Sequence, residues 1–402
     1  MAMDGMDTAI QAPASTHAQH SSAVSGIFLH AGWRSCGTWM WERLRDSPGI
    51  RGFYEPLHED LSTLKPRDVG LLRPDSWQSG HGTGAPYFAE LAPLLKRGGG
   101  VRGHRAGFAF DGYFAAADAD EAALQTYLRG LMASAAAENR LPVMKFCRSL
   151  GRVPWMEAHF PDVFHAVILR DPAAQWRSAR RQMEQNKNRY FVLAPFIILA
   201  RNADDPLLAH AIARLGVRMP PVLSRNLGIT TDACWRHVQR LSWQERFRGF
   251  LALWVATGIT SLAGHATIID GDRLGDDAAY RAEAERALQQ AAGVPVGLMP
   301  GFAAEGGPMG SDQEQRDAAL AQGAGLDVLA SHGGGLAADR AAILRQKLAP
   351  DAQGVRAPLA LAAPGRPGLF DYADAAAYVA AARATYPLRR AHYHVRRWLG
   401  GI

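Results

Sequence analysis

The chain has 402 residues, 48% hydrophobic and 20% charged, with a formal net charge of +6. That length can bury a large core, and the small basic excess suits an anionic ligand but is too weak to argue for nucleic acid. Cys36, Cys147 and Cys234 show no CxxC spacing and no His/Cys cluster, which argues against both a disulfide scaffold and a zinc site.

Residues 1–24 are rich in Ala, Ser, Gln and His and lack a basic n-region and an apolar h-region. They read as a disordered tail rather than a signal peptide. Residues 25–402 read as a single domain. Ile27–Leu29 and its neighbours form a short apolar strand that ends at the loop "HAGWRSCGTW". Thr38–Arg45 then reads as a helix, with Met40, Trp41 and Leu44 at helical spacing and "DSPG" as its stop. "IRGFYEPL" (Ile50–Leu57) is a second strand, cut off by Pro56. Leu61–Arg105, rich in Gly, Pro and His, reads as a long surface excursion.

Glu121–Asn139 is an Ala-rich helix, "LPVMKF" a third strand, and "VPWMEAHFPD" carries a helix closed by Pro161. "VFHAVIL" is continuously apolar, the pattern of a central parallel strand. "RDPAAQWRSARRQM" follows as a helix with Asp171 at the N-cap and Pro172 in its first turn. A helical insertion spans about 185–265. It includes the apolar run "FVLAPFIILA", too short to span a bilayer, and a capping box at Ser242 and Glu245. "HATIIDGDRL" is a fifth strand, and Ala278–Ala292 a helix ending at Gly293. A Gly-rich segment at about 300–340 reads as mobile, and "YPLRRAHYHVRRWL" as a basic closing helix.

Strands alternating with helices predict a three-layer α/β/α fold with a mainly parallel central sheet, of the P-loop nucleotide-binding type. Ligands in such folds sit at the carboxyl ends of the strands. "HAGWRSCGTW" and "RDPAAQWRS" both follow strands directly, so they are expected at the same sheet edge. With no signal peptide and no apolar run of about 18 residues, the expectation is a cytoplasmic protein without a membrane span. Peripheral contact through Arg389, Arg390, Arg396 and Arg397 stays open, and the oligomeric state is not legible.

Gly32 and Gly37 have the GxxxxG spacing of a P-loop, but Thr38 stands where that loop has lysine and Trp39 where it has a metal-binding hydroxyl. A strand-to-helix loop binds anions through backbone N–H groups and the helix dipole without a lysine. Arg34 adds a cation, and Ser35 and Thr38 add hydroxyls. A sulfuryl group carries one charge less than a phosphoryl group, which suits a loop with an arginine and no metal ligand.

On these residues the chain resembles the sulfotransferases. "WRSCGTWMWERL" is similar to their 5′-phosphosulfate loop and "LRDPAAQWRS" to their 3′-phosphate motif. "FYEPLHE" is similar to a strand end of the carbohydrate sulfotransferases, and "TIIDGDRL" to the family's late strand–helix unit. The resemblance implies 3′-phosphoadenosine-5′-phosphosulfate (PAPS) as donor and adenosine 3′,5′-bisphosphate (PAP) as product, with no metal. It implies that Arg34, Ser35, Cys36, Gly37 and Thr38 cradle the phosphosulfate, that Trp39 packs on adenine, and that Arg170 and Ser178 hold the 3′-phosphate. Two departures stand out. Cys36-Gly37 replaces the family's Gly-Thr, and Cys147 occupies the place of a catalytic histidine.

Attack by an alcohol on sulfur needs a base and cations near the leaving phosphate. Glu55, at the end of the second strand, is the expected base, and Arg34 and Lys145 are the expected catalytic cations. His58, Glu59 and Arg148 are expected on the acceptor side, with Lys145 and Arg148 alternatively a surface cation pair. The expected acceptor is a hydroxyl of a carbohydrate or glycolipid. A peptide tyrosine or small phenol is the rival acceptor. A P-loop kinase and a non-catalytic nucleotide-binding protein are the rival functions.

Overall fold

The structure is a computed structural model that describes residues 24–74, 84–222, 224–298 and 310–349. Its centre is a sheet of five parallel strands, β1 (Gly26–Ala31), β2 (Ile50–Tyr54), β3 (Leu141–Phe146), β4 (Val163–Leu169) and β5 (Thr267–Asp270), in the order β2-β3-β1-β4-β5. The helices follow the sequence closely. α1 (Gly37–Arg45) leaves β1, the short α2 (Pro66–Val69) follows β2, and α3 (Ala122–Ala136) precedes β3. α4 (Val153–His159) joins β3 to β4. Between β4 and β5 lie α5 (Pro172–Asn186), α6 (Tyr190–Arg201), α7 (Pro206–Arg214), α8 (Leu227–Gln239) and α9 (Trp243–Ser261). After β5 come α10 (Arg273–Asp276), α11 (Ala278–Ala292), α12 (Asp312–His332) and α13 (Ala338–Leu348).

Local chemistry sets these boundaries. Asp171 Oδ1 accepts from the Ala174 N–H at 2.6 Å and starts α5. Ser242 and Glu245 form the capping box of α9, and Gly293 closes α11 in the left-handed region at φ 65°. Strand alternation divides the core in two. Ala166 and Ile168 of β4 join one hydrophobic cluster with α1, α3 and α11, while Val167 and Leu169 join another with α5–α9, α12 and α13. Helices therefore cover both faces of the sheet. Among the described residues, no helix is long and apolar enough to cross a membrane.

Two expectations are corrected. The described parts of the excursion at 61–105 do not lie loosely on the surface. Leu61, Leu64, Tyr87, Phe88, Leu91 and Val101 are buried, and Arg51 of the edge strand β2 donates to the Glu90 carbonyl at 2.7 Å. The segment covers a strand edge that would otherwise stand open. The second correction concerns the Gly-rich segment at 300–340. From Asp312 to His332 it is the helix α12, opened by a capping box at Ser311 and Glu314 and anchored by Val328 and Leu329. Its S-x-x-E signal was present in the sequence and outweighs the scattered glycines. The N-terminal tail, Trp77, His81 and the basic C-terminal helix lie outside the described residues.

Beneath the sheet edge runs a buried polar chain. His165 Nε2 faces the Phe160 carbonyl at 3.0 Å, so it must donate, and its Nδ1 accepts from His30 Nε2 at 3.1 Å. His30 Nδ1 is left to accept from the Ser149 hydroxyl at 2.7 Å. Both rings are thus held neutral. Burial, and next the neighbouring His165, keeps the His30 pKa well below its ordinary value, and burial holds His165 at about 4. The unfolded chain binds more protons in this range. The pair's stabilisation is therefore complete above about pH 6.5 and is lost as pH falls toward 4. Urea unfolding between about pH 7 and pH 5 should show stability falling by up to about 1.4 kcal/mol per pH unit for each histidine. His165→Asn should flatten that slope, and an unchanged slope would mean that the pair does not titrate on unfolding.

Candidate active site at the carboxyl edge of the sheet

The chain leaves β1 toward β2 on one side of the sheet and leaves β4 toward β5 on the other. β1 and β4 are neighbours, so their outgoing loops diverge and leave a crevice between them. The loop 32–36 occupies that point. Arg34 and Cys36 have positive φ, 65° and 70°, with Ser35 between them on the ordinary side. Alternation of this kind turns successive N–H groups toward one concavity. Cys36 is the N-cap of α1, whose first-turn N–H groups have no partner within the helix. Gly37 allows the turn to close, since a Cβ there would sit 2.7 Å from the Ala31 Cβ and 3.1 Å from Lys145 Cε.

The "RDPAAQWRS" motif meets this loop directly. Arg170 donates from NH1 to the Arg34 carbonyl at 2.9 Å, across 136 residues of sequence. Arg34 donates from Nε to Ser178 Oγ at 2.9 Å, across 144. Both Arg170 and Ser178 are buried. Ser35 Oγ closes the loop on the Gly32 carbonyl at 2.7 Å. Thr38 lies in the first turn of α1, with Oγ1 3.2 Å from the Tyr54 hydroxyl. Trp39 is only 8% exposed and packs in the cluster with α1 and the sheet, which leaves little ring face for a nucleobase.

Beside the loop lies a buried charged cluster. Glu55 follows β2 with φ 43°, and its N–H continues the ladder to the Lys145 carbonyl at 2.8 Å. Glu55 Oε1 accepts from Lys145 Nζ at 2.5 Å, and Oε2 accepts from Arg148 at 2.8 Å and from the Cys147 N–H at 3.0 Å. Burial alone would raise the Glu55 pKa, but Lys145 and then Arg148 outweigh it and hold the carboxyl at about 2. A carboxylate so placed is a poor proton acceptor. The geometry therefore favours Glu55 as the anchor of two cations over Glu55 as the base. Lys145 and Arg148 are buried, so the surface-pair alternative is corrected.

Arg148 extends the cluster outward. It donates to Glu59 Oε2 at 2.9 Å and to the Tyr190 hydroxyl, and Tyr190 donates to Glu59 Oε1 at 3.0 Å. The His58 ring stacks on Tyr190, and its Nδ1 accepts from the Asp60 N–H at 3.2 Å. Cys147 takes a Lys145 N–H on sulfur at 2.9 Å. Burial, and next the Glu55 charge, push this thiol up to about 12, so it stays protonated and unreactive. Tyr190, Asp272 and Lys347 were missed in the sequence. Tyr190 sits at a helix start in an apolar run, Asp272 lies in "TIIDGDRL" but that resemblance gives it no role of its own, and Lys347 carries no local motif.

Among the described residues, no group of three or more His, Cys, Asp or Glu is placed to hold a metal ion. No protein-family profile, curated protein or solved structure matches this chain.

Glu55→Gln removes the anion that two buried cations share, so it should cost about 3–5 kcal/mol of stability at neutral pH in urea unfolding. In the wild type that contribution is present above pH 4.5 and is lost as pH falls toward 2, because the folded pKa is the lower one. Gly37→Ala should cost about 1–3 kcal/mol by overpacking α1 against β1. Near-wild-type melting of either variant would contradict the packing described.

Proposed function

We propose that the chain is a sulfotransferase that moves a sulfuryl group from PAPS to a hydroxyl acceptor, with a carbohydrate or glycolipid as the favoured class. The observation that supports this most is the meeting of two motifs far apart in sequence. The lysine-free loop and the Arg170–Ser178 helix start touch through Arg34 at the crevice between β1 and β4. The residues there suit a doubly anionic ligand in their chemistry. Arg34 and Arg170 supply guanidinium donors, Ser178 a hydroxyl, and the loop its backbone N–H groups. When bound, the donor supplies a sulfuryl group whose sulfur–oxygen bond to phosphate breaks as the bond to the acceptor oxygen forms.

In this reading Arg34 and the loop N–H groups hold the 5′-phosphosulfate, and Arg170 and Ser178 hold the 3′-phosphate. Lys145, fixed by Glu55, sets positive charge beside the loop where the leaving phosphate gains charge. His58, Glu59 and Tyr190 face the acceptor side, and Glu59, which reaches solvent, is better placed than Glu55 to accept a proton. Thr38 adds its first-turn N–H to the loop's donors, while Trp39 is packed into the core.

Isothermal titration should find binding of PAP without added metal, and weaker or no binding of ATP with magnesium. Arg34→Ala and Arg170→Ala should each weaken PAP binding by about 10- to 100-fold, as expected for loss of a charge-assisted hydrogen bond. Transfer of labelled sulfate to a panel of sugars, glycolipids, tyrosine peptides and phenols then tests catalysis. Turnover of ATP with magnesium and no PAP binding would replace this reading with a kinase. PAP binding without transfer to any acceptor would reduce it to a nucleotide-binding protein.

A further inference from the structure

We infer that Lys347, on the helix α13, is a positioning residue for the anion-binding loop: it neutralises an aspartate pair so that Arg170 stays directed at the loop. The inference rests on the reading of that loop as an anion site. Lys347 is buried, with Nζ 2.7 Å from Asp270 Oδ1 and 2.6 Å from Asp272 Oδ2. These aspartates flank Gly271 at the end of β5. Gly271 lies against the loop itself. Its carbonyl is 3.7 Å from Cys36 Sγ, and a Cβ on it would stand 3.3 Å from the Ser35 carbonyl.

Asp272 is the link to Arg170. Its Oδ2 accepts from the Asp171 N–H at 2.7 Å, and its Oδ1 takes Arg170 Nε at 3.3 Å, a longer contact than the one from Arg170 to the Arg34 carbonyl at 2.9 Å. Two carboxylates beside a site for an anion repel both each other and the ligand. Lys347 offsets this with one ammonium shared between them. Without it, Asp272 would keep its ion pair with Arg170. Arg170 would be drawn toward Asp272 and away from the loop, and the negative field at the crevice would grow. A helix more than 300 residues after the loop thus sets how much of Arg170 the loop can use.

The test is titration of PAP and of inorganic pyrophosphate into wild type, Lys347→Met, Lys347→Arg and the double variant Lys347→Met/Asp272→Asn, in which the carboxylate that pulls on Arg170 is neutralised. Lys347→Met should weaken both ligands by about 10- to 100-fold. The double variant restores the charge balance without restoring the lysine's packing, and it should recover most of the affinity, as should Lys347→Arg. A purely structural role predicts no recovery in the double variant, and that result would overturn the inference, as would unchanged binding in Lys347→Met. Should Lys347→Met fail to fold, wild-type-like binding by the double variant and by Lys347→Arg supports the inference, and weak binding by both overturns it. If wild type ignores PAP but binds pyrophosphate with the same Lys347 dependence, the donor reading falls and the positioning role stands. Binding of neither by wild type would remove both.

Discussion

The upper edge of the sheet is organised around one carboxylate. Glu55 leaves β2 in a left-handed backbone conformation and turns into the protein, where Lys145, Arg148 and the Cys147 N–H take both of its oxygens. Without it Lys145 would lose its carboxylate partner and Arg148 would keep Glu59 alone, and a buried charge left unpaired costs several kcal/mol. Each partner has a second task. Lys145 lies under the first turn of α1, where Gly37 leaves room for it, and Arg148 carries the charge chain out to Glu59 and Tyr190. A single buried anion thereby ties the loop after β1 to the residues after β2.

That arrangement changes what the loop is. A phosphate loop with its own lysine keeps cation and backbone donors on one element. Here the donors come from β1 and α1, one cation from the loop itself, one from the end of β3 and one from the end of β4. The site depends on strand register. Leu29 pairs with Lys145 and with Ala166, so a one-residue slip in either pairing would turn Lys145 or Arg170 to the wrong face.

The architecture was largely legible in the sequence because its signals are local. The continuous apolar run of β4, the Asp171–Pro172 start of α5 and the Ser242 capping box each fix an element by neighbouring residues alone. The convergence of the loop with Arg170 and Ser178 could be anticipated from the rule that ligand loops follow parallel strands. The state of Glu55 could not. A carboxylate at a strand end looks the same in sequence whether it faces water or two buried cations, and those cations are some 90 residues away. Composition misled at the excursion after β2, where Gly, Pro and His suggested a surface segment, and at α12, where Gly suggested a mobile one, while spaced Leu, Val and Phe residues supplied the contacts.

β4 and β5 are hydrogen-bonded neighbours, yet the whole helical block α5–α9 lies between them in sequence. Pairing that bridges so long a stretch forms slowly, since the entropy of closing the intervening chain opposes it until the contacts are made. Gly271 and Asp272, which abut the loop and Arg170, arrive only with that last strand. During synthesis the loop emerges well before β5 and gains its supporting corner late. A half-made chain would therefore carry the loop without its complete surroundings, which close around it only when β5 joins the sheet.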